Sequence, residues 1–275
     1  MQQYRDSARN NEKYPLQKEN DMTDPVHVIS LERTPQRYAA FCHFNSHLPH
    51  VRVSACEGAL LNRDHCCEMG ICSPDLDYSS GALGSAVSHM RLWQDAIQSR
   101  MVRHIAEDDA IIRPDFHEIY HEAVKAAPEW DIFLWSYNDD WPVGLVSTFG
   151  HVASLKGKDI SPDFIVRNYR IFQEDRKKPS LLPLSSAAGI GFYSISPQGA
   201  KKLIDACFPL QGLHARYAGD TDMRWQNRAL DVEMSRHYQT LNAYVSYPPM
   251  AVMINDSANS TLCGQGQMST VNEAS

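Results

Sequence analysis

Apolar residues recur at helical spacing in three segments of the chain. In residues 81–100 they fall three, four or seven positions apart, which places Leu83, Ala86, Val87, Met90, Trp93 and Ile97 on one face of a helix. Pro114 suits the start of a second helix, whose apolar side carries Phe116, Ile119, Tyr120 and Ala123. Ser196 is a typical N-cap residue for a third helix over residues 197–208. These patterns predict three amphipathic helices.

Short apolar runs alternate with these helices. They occupy residues 26–29, 104–106, 131–136 and 187–196, and each is of strand length. Alternating strands and amphipathic helices are typical of an α/β protein, so the sequence predicts a central, mostly parallel sheet flanked by helices.

The remaining segments lack clear periodicity. We expect loops over residues 45–80 and 150–183, the second of which is a long, charged excursion. Residues 1–24 are polar and predict a disordered arm, and residues 255–275 predict a flexible tail. A single domain is therefore expected over residues 25–254.

Carboxylates follow two of the predicted strands. Glu107, Asp108 and Asp109 come directly after the second apolar run, and Asn138, Asp139 and Asp140 after the third. Ligands of an open α/β sheet bind beyond the carboxyl ends of its strands, so these residues are expected at the binding edge.

The spacing within the first triplet favours a metal. In an extended backbone Glu107 and Asp109 point the same way while Asp108 points elsewhere. Mg²⁺ and Mn²⁺ prefer such carboxylate oxygens, often together with substrate phosphates. The alternative is an acidic turn whose aspartates cap the next helix.

Charge and cysteine content exclude some classes of protein. The net charge is −7 and no basic stripe is present, so a nucleic-acid partner is not expected. The N-terminus lacks the apolar core of a signal peptide, and no segment approaches the roughly 20 apolar residues of a membrane span. A cytoplasmic location is expected, with peripheral membrane contact allowed.

Five residues could suggest a zinc site: Cys56, Cys66, Cys67, Cys72 and His65. Because paired Cys-x-x-Cys spacings are missing, we expect free thiols there and not a zinc site.

Four segments, in this order, resemble glycosyltransferase family 25. They read VISLERTPQR, GALGSAVSHMRLWQDAI, HIAEDDAIIRPDF and GFYSISPQGAKKLI, and the similarity spans residues 25–250. The family includes bacterial lipopolysaccharide galactosyltransferases and collagen galactosyltransferases. The resemblance implies a GT-A-like fold, a UDP-sugar donor (usually UDP-galactose), inversion at the anomeric carbon, and Mn²⁺ or Mg²⁺ at an Asp-x-Asp-type site.

The same resemblance assigns roles to residues. Asp109 and Glu107 correspond to the metal site, and the donor-binding positions are Ser30, Arg33, Arg37, Gly84, Ser88, His89, Glu107 and Asp108. An inverting transfer needs a carboxylate that takes the proton of the acceptor hydroxyl. The candidates for this base are Asp140, Asp139 and Asp222. Asp220 and Asp222 also form a literal Asp-x-Asp, which is an alternative metal site.

Several alternatives stay open at this point. Arg33 and Arg37 could be surface charges, and His89 could be a histidine tied to a carbonyl at the border of the apolar stripe. The aromatic residues Trp135, Tyr137 and Trp141 fit either a core or a sugar-stacking platform. The predicted function is hexose transfer onto a hydroxyl of a glycan or other acceptor. A catalytically silent domain that binds a nucleotide sugar or a partner protein is the alternative, and a metal-dependent phosphohydrolase is a third.

Overall fold

The computed structural model describes residues 24–139, 141–158, 160–216 and 224–255. The strands in these ranges are β1 (Val26–Ser30), β2 (His50–Ser54), β3 (Arg103–Glu107), β4 (Ala110–Ile112), β5 (Ile132–Leu134), β6 (Val143–Val146), β7 (Val152–Leu155), β8 (Ser180–Ser186), β9 (Phe192–Ile195), β10 (His214–Arg216), β11 (Arg224–Gln226), β12 (Ala243–Tyr247) and β13 (Ala251–Met253). The α-helices are α1 (Pro35–Phe44), α2 (Arg63–Glu68), α3 (Ser80–Ser99), α4 (Phe116–Ala126), α5 (Pro162–Glu174), α6 (Pro197–Cys207) and α7 (Leu230–Ser235).

One nine-stranded sheet forms the centre of the molecule. Its strand order is β2-β1-β3-β9-β5-β12-β8-β6-β7. Strand β1 pairs in parallel with β2 and β3, and β5 pairs in parallel with β12. Strand β9 runs antiparallel between β3 and β5, so those two strands point the same way. The predicted α/β class with a central sheet is confirmed, and the sheet is mixed.

Alternation along the central strands builds a core on each face of the sheet. Ile105 packs into the core that includes Trp93 of α3, whereas its neighbour Ala106 packs into the core that includes Phe116 of α4. Successive side chains of a strand point to opposite faces, which explains the division. The three predicted amphipathic helices are confirmed as α3, α4 and α6. The predicted cap of α6 also agrees, because the Ser196 hydroxyl accepts a hydrogen bond from the backbone N–H of Gly199. Helix α4 begins at Phe116, two residues after the predicted start at Pro114.

The prediction of loops over residues 45–80 is wrong in part. This region contains β2, a 3-10 helix at Gly58–Leu60 and the helix α2. Strand β2 lies at the edge of the sheet, where Val51 is exposed, so its apolar pattern is weak. The Asn62 side chain caps α2 by accepting from the backbone N–H of His65.

The long excursion over residues 150–183 is also more regular than predicted. It contains β7, α5 and the first part of β8. Helix α5 has a Ser-Pro start, in which the Ser161 hydroxyl accepts from the backbone N–H of Phe164. Phe164 and Ile171 are exposed apolar residues on this helix. Because they lie outside its buried face, the apolar residues of α5 do not mark that face in the sequence.

The predicted arm up to residue 23 and the tail from residue 256 lie outside the described residues. Over the ranges that the structure covers, no helix is both long and apolar enough to cross a membrane.

Candidate active site

The ends of β1, β3 and β5 form one edge of the sheet. Ile29 pairs with Glu107, so the last residues of β1 and β3 are neighbours. Strand β5 runs in the same direction and leads to Asn138 and Asp139. The two polar segments therefore share the edge at which open α/β sheets bind ligands.

Glu107, Asp108 and Asp109 form an acidic turn between β3 and β4. Arg37 of α1 holds this turn, because its Nε and Nη2 atoms each lie 2.7 Å from Oδ1 of Asp108. The same Nη2 lies 3.5 Å from Oδ2 of Asp109. Arg37 of α1 therefore contacts both aspartates of the turn, and Asp108 more closely than Asp109.

Two expectations about this turn are wrong. The backbone is extended only up to Glu107, since Asp108 and Asp109 form a turn. The two aspartates do not cap a helix either, because β4 follows them and Asp115 precedes α4. The carboxylates of Glu107 and Asp109 are nevertheless close enough to interact, as the pKa of Asp109 shows.

Asp109 has a carboxylate oxygen that could bind a ligand. Its side chain is 15% exposed, and its Oδ1 atom has no hydrogen-bond partner among the described residues. Burial, Glu107 and Asp108 raise the pKa of Asp109 to about 7, against the opposing effect of Arg37. A buried lone pair beside excess negative charge is the setting that a divalent cation would stabilise.

Glu107 connects the acidic turn to the interior. Its backbone N–H donates to the carbonyl of Gly191 at 2.9 Å. Its carboxylate is 30% exposed, and Oε1 lies 3.6 Å from Nε2 of the fully buried His89. His89 Nδ1 is hydrogen-bonded to the hydroxyl of Tyr193 at 2.8 Å, so His89 is tied to a phenol and not to a carbonyl.

Ser30 and Arg33 lie beside the acidic edge. Ser30 is buried, and its hydroxyl has no partner among the described residues while its carbonyl accepts from the backbone N–H of Ala55. Arg33 is paired with Glu57 at 2.8 Å and is more than half exposed. The role of both residues in donor binding stays a prediction.

Gly84 and Ser88 hold a neighbouring backbone segment against α3. A Cβ atom on Gly84 would meet the carbonyl oxygen of Cys56 at 2.7 Å, so only glycine permits this approach. The Ser88 hydroxyl accepts from the backbone N–H of Cys56 and donates to the carbonyl of Gly84. These contacts position the segment that carries Glu57, and direct contact of Gly84 or Ser88 with a donor stays a prediction.

The base candidates are only partly described. Asp139 is half-buried after β5, and burial together with Asp139 raises the pKa of Tyr137. Asp140 and Asp222 lie outside the described residues, as does the alternative metal ligand Asp220.

The three aromatic residues that follow β5 differ in exposure. Trp135 belongs to the core, where its indole N–H donates to the hydroxyl of Ser194. Tyr137 is half-buried, and Trp141 is 36% exposed and packs edge-on against Trp225. Trp141 is therefore the one that could stack on a sugar.

Asp231 is a site residue that sequence reasoning missed. Its carboxylate accepts the backbone N–H groups of Gly189 and Val232 at 2.8 and 2.9 Å. Burial and the nearby charge of Glu107 raise its pKa. Gly189 has a φ of 85° and lies so close to Asn138 that a Cβ atom would meet the Asn138 side chain. Asp231 thus fixes the loop before β9, and no local motif marks it.

We call a second group of ligand-type side chains the Glu233 cluster: Cys207, Asn227, Glu233, Arg236 and His237. Potential ligand atoms of Cys207, Glu233 and His237 lie within 4.8 Å of one another. Both oxygens of Glu233 are already occupied, by Arg236 at 2.7 and 2.9 Å, His237 at 3.1 Å and Asn227 at 2.6 Å. Burial and Glu233 raise the pKa of the Cys207 thiol. The cluster is therefore neutralised by its own members.

An α/β fold with carboxylates at the carboxyl edge of its sheet is typical of enzymes that bind phosphorylated substrates. The profile of the family described as glycosyltransferase family 25 (LPS biosynthesis protein) matches residues 23–220. The chain therefore belongs to glycosyltransferase family 25 and is a glycosyltransferase. No curated protein matches it. The matched range includes the acidic turn, whereas Asp231 and Glu233 lie beyond it.

Proposed function

We propose that this glycosyltransferase moves a hexose from a UDP-sugar, with UDP-galactose the first donor to test, onto a hydroxyl group of a glycan. The reaction would invert the anomeric carbon on a GT-A-like fold and would depend on Mn²⁺ or Mg²⁺. The observation that carries the proposal is the Oδ1 atom of Asp109, which has no hydrogen-bond partner among the described residues and is influenced by the charge of Glu107. Membership in the family supports the transfer of a sugar, and the acidic turn supports the metal.

The residues at the turn fit a hard divalent cation. Asp109 and Glu107 offer carboxylate oxygens, which Mg²⁺ and Mn²⁺ prefer. Asp108 is held by Arg37 and is not needed as a ligand. Burial comes first among the causes that raise the pKa of Asp109, followed by the like charges of Glu107 and Asp108, which a bound cation would offset. When bound, the metal would neutralise charge on the departing diphosphate.

Residues of the chain would perform the remaining tasks. Arg37 would fix the shape of the acidic turn, and Arg33, which is exposed in the turn after β1, can contact a phosphate. Among the described residues Asp139 is our candidate for the base that takes the acceptor proton, a role worth about 10²–10⁴-fold in rate. Trp141 lies two residues further along the chain and offers an apolar face for the acceptor sugar.

We propose the acceptor from the description of the family. A lipopolysaccharide glycan is the first acceptor to test, because the family is described by LPS biosynthesis. Such an acceptor would require contact with a membrane surface, and a cytoplasmic location with peripheral contact is the arrangement that we propose.

The test is release of UDP from a panel of UDP-sugars, with and without an oligosaccharide acceptor from lipopolysaccharide, in Mn²⁺ or in EDTA. We expect UDP release that needs both acceptor and metal and that is lost in Asp109→Asn. Asp205→Asn, at an exposed position of α6, is the matched control and should keep full activity. Metal-dependent release without any acceptor would indicate a hydrolase, and no release with any sugar would indicate a silent domain.

A further inference from the structure

Two buried histidines lie on opposite faces of β9, each in a chain of hydrogen bonds with a hydroxyl and a tryptophan. The front triad is His89, Tyr193 and Trp93, in which His89 Nδ1 and Trp93 Nε1 both lie 2.8 Å from the Tyr193 hydroxyl. The rear triad is His104, Ser194 and Trp135. In it, His104 Nδ1 and Trp135 Nε1 both lie 2.7 Å from the Ser194 hydroxyl. Because Tyr193 and Ser194 are consecutive, the two triads face different cores.

The hydrogen bonds of the front triad determine which nitrogen of His89 carries the proton. An indole N–H can only donate, so the Tyr193 oxygen accepts from Trp93. The hydroxyl proton of Tyr193 then donates to Nδ1 of His89, which leaves the imidazole proton on Nε2. The other tautomer would leave the Tyr193 proton without an acceptor among the described residues, at a cost that buried groups avoid.

The two triads differ in what the remaining histidine nitrogen faces. Nε2 of His89 lies 3.6 Å from Oε1 of Glu107, a residue of the acidic turn. His104 is instead surrounded by the aromatic rings of Phe116 and Tyr120. Both Nε2 atoms are buried and lack a hydrogen-bond partner in the described part of the chain. Only the front triad therefore points a donor at a functional carboxylate.

We infer that His89 is a positioning residue for Glu107. Its Nε2–H faces Oε1 of Glu107 at 3.6 Å, beyond hydrogen-bond distance, and acts on the carboxylate electrostatically, while Tyr193 and Trp93 fix its tautomer. The inference rests on the proposed function in that Glu107 is taken as a metal ligand. Partners of this kind orient ligands at metal sites, and their loss typically lowers metal affinity by about 10–100-fold. The rear triad has the same chemistry and no carboxylate, so its role is confined to packing.

The first test uses the metal-free protein and does not depend on activity. Long-range ¹H–¹⁵N correlation spectra of histidine-labelled protein should show His89 with its proton on Nε2. Replacing Glu107 by Gln should shift the His89 Nε2 signal and leave His104 unchanged. A proton on Nδ1 of His89, or a His89 signal that does not move in Glu107→Gln, would overturn the inference.

The second test measures Mn²⁺ binding by calorimetry in His89→Leu, His89→Gln and His104→Leu. We expect His89→Leu to weaken Mn²⁺ binding by about 10–100-fold. His89→Gln should recover most of this loss, because its amide places a donor near the position of Nε2. His104→Leu should bind Mn²⁺ as wild type does, although it also removes a buried histidine. Equal Mn²⁺ affinity in His89→Leu and wild type, or equal losses in the two leucine variants, would contradict the inference.

The two tests separate this inference from the proposed function. If wild type binds no Mn²⁺, the proposed metal dependence fails while the tautomer spectra still decide the role of His89. If His89→Leu does not fold, Tyr193→Phe takes its place, because it keeps the ring and removes the hydroxyl that fixes the tautomer. Tyr193→Phe is then expected to weaken Mn²⁺ binding, and unchanged binding would count against the inference.

Discussion

The Glu233 cluster and the acidic turn, both in the described part of the chain, differ in how the charges of their carboxylates are compensated. The Glu233 cluster surrounds one buried carboxylate with Arg236, His237 and Asn227, so each oxygen of Glu233 has a partner. Among the residues that the structure covers, the three carboxylates of the acidic turn are paired with one arginine, Arg37.

The electrostatic consequences follow from this difference. In the acidic turn the pKa of Asp109 is raised to about 7 and its Oδ1 atom is unpaired among the described residues. In the Glu233 cluster burial and Glu233 raise the pKa of the Cys207 thiol, so a metal there would have to displace the thiol proton as well as the partners of Glu233. Ligand-type residues in proximity are therefore not sufficient for a metal site. The unused oxygen of Asp109 is what distinguishes the acidic turn.

The largest expected effect on stability comes from breaking the compensated cluster. Glu233→Gln removes the anion that Arg236 and His237 share, and we expect the free energy of unfolding to fall by about 3 kcal/mol at neutral pH. Glu107→Gln, a matched change in the acidic turn, should alter the free energy of unfolding by less than about 0.5 kcal/mol. Urea unfolding of both variants checks this, and equal losses would mean that the two groups are compensated alike.

In the acidic turn we expect the substitution Asp109→Asn to raise the stability of the folded protein, by less than Glu233→Gln lowers it. The pKa of Asp109 is raised from 3.8 to about 7 in the folded protein. Between these values the unfolded chain has released the proton that the folded protein retains, so stability falls as the pH rises across this window and is level above it. Asp109→Asn removes this loss and should stabilise the metal-free protein by about 1–3 kcal/mol near pH 8, with no gain near pH 4.

Thermal unfolding in EDTA across this pH range measures the effect. Asp205→Asn, at an exposed position, serves as the control and should follow wild type at every pH. A variant Asp109→Asn that is less stable than wild type near pH 8 would show that the Asp109 carboxylate is fully compensated.

The smallest change in the free energy of unfolding is expected from a substitution of Arg37, the arginine that binds Asp108 in the acidic turn. Lysine at position 37 cannot place two nitrogens on Asp108, so Arg37→Lys should lower the free energy of unfolding by about 1 kcal/mol. Arg167→Lys alters an exposed arginine paired with Asp163 and should change almost nothing. In an Asp108→Asn background the effect of Arg37→Lys should shrink, and an unchanged effect would show that Asp108 is not its partner.

The sequence predicts an element correctly where the pattern of neighbouring residues reflects the position of that element in the fold. Residues 81–100 show an apolar stripe because α3 buries one side against the sheet, and the carboxylates after β3 lie at the edge because that strand ends there. The amphipathic helices and the position of the acidic turn were therefore predictable.

Other features arise from contacts that are distant in the chain. Strand β4 has three residues and pairs with β13, so neither can be recognised alone and the turn before β4 was mistaken for extended backbone. Arg37 reaches Asp108 from another helix, and Asp231 reaches Gly189 across 42 positions. No local spacing encodes these partners.

Calorimetry of UDP with and without Mn²⁺ tests the central claim most directly. It would compare wild type, Asp109→Asn and a variant that combines Cys207→Ser with His237→Gln. We expect wild type and the Cys207–His237 variant to bind UDP only with Mn²⁺, and Asp109→Asn to lose this binding. Mn²⁺-dependent binding that survives in Asp109→Asn and disappears in the Cys207–His237 variant would place the metal at the Glu233 cluster and contradict the account.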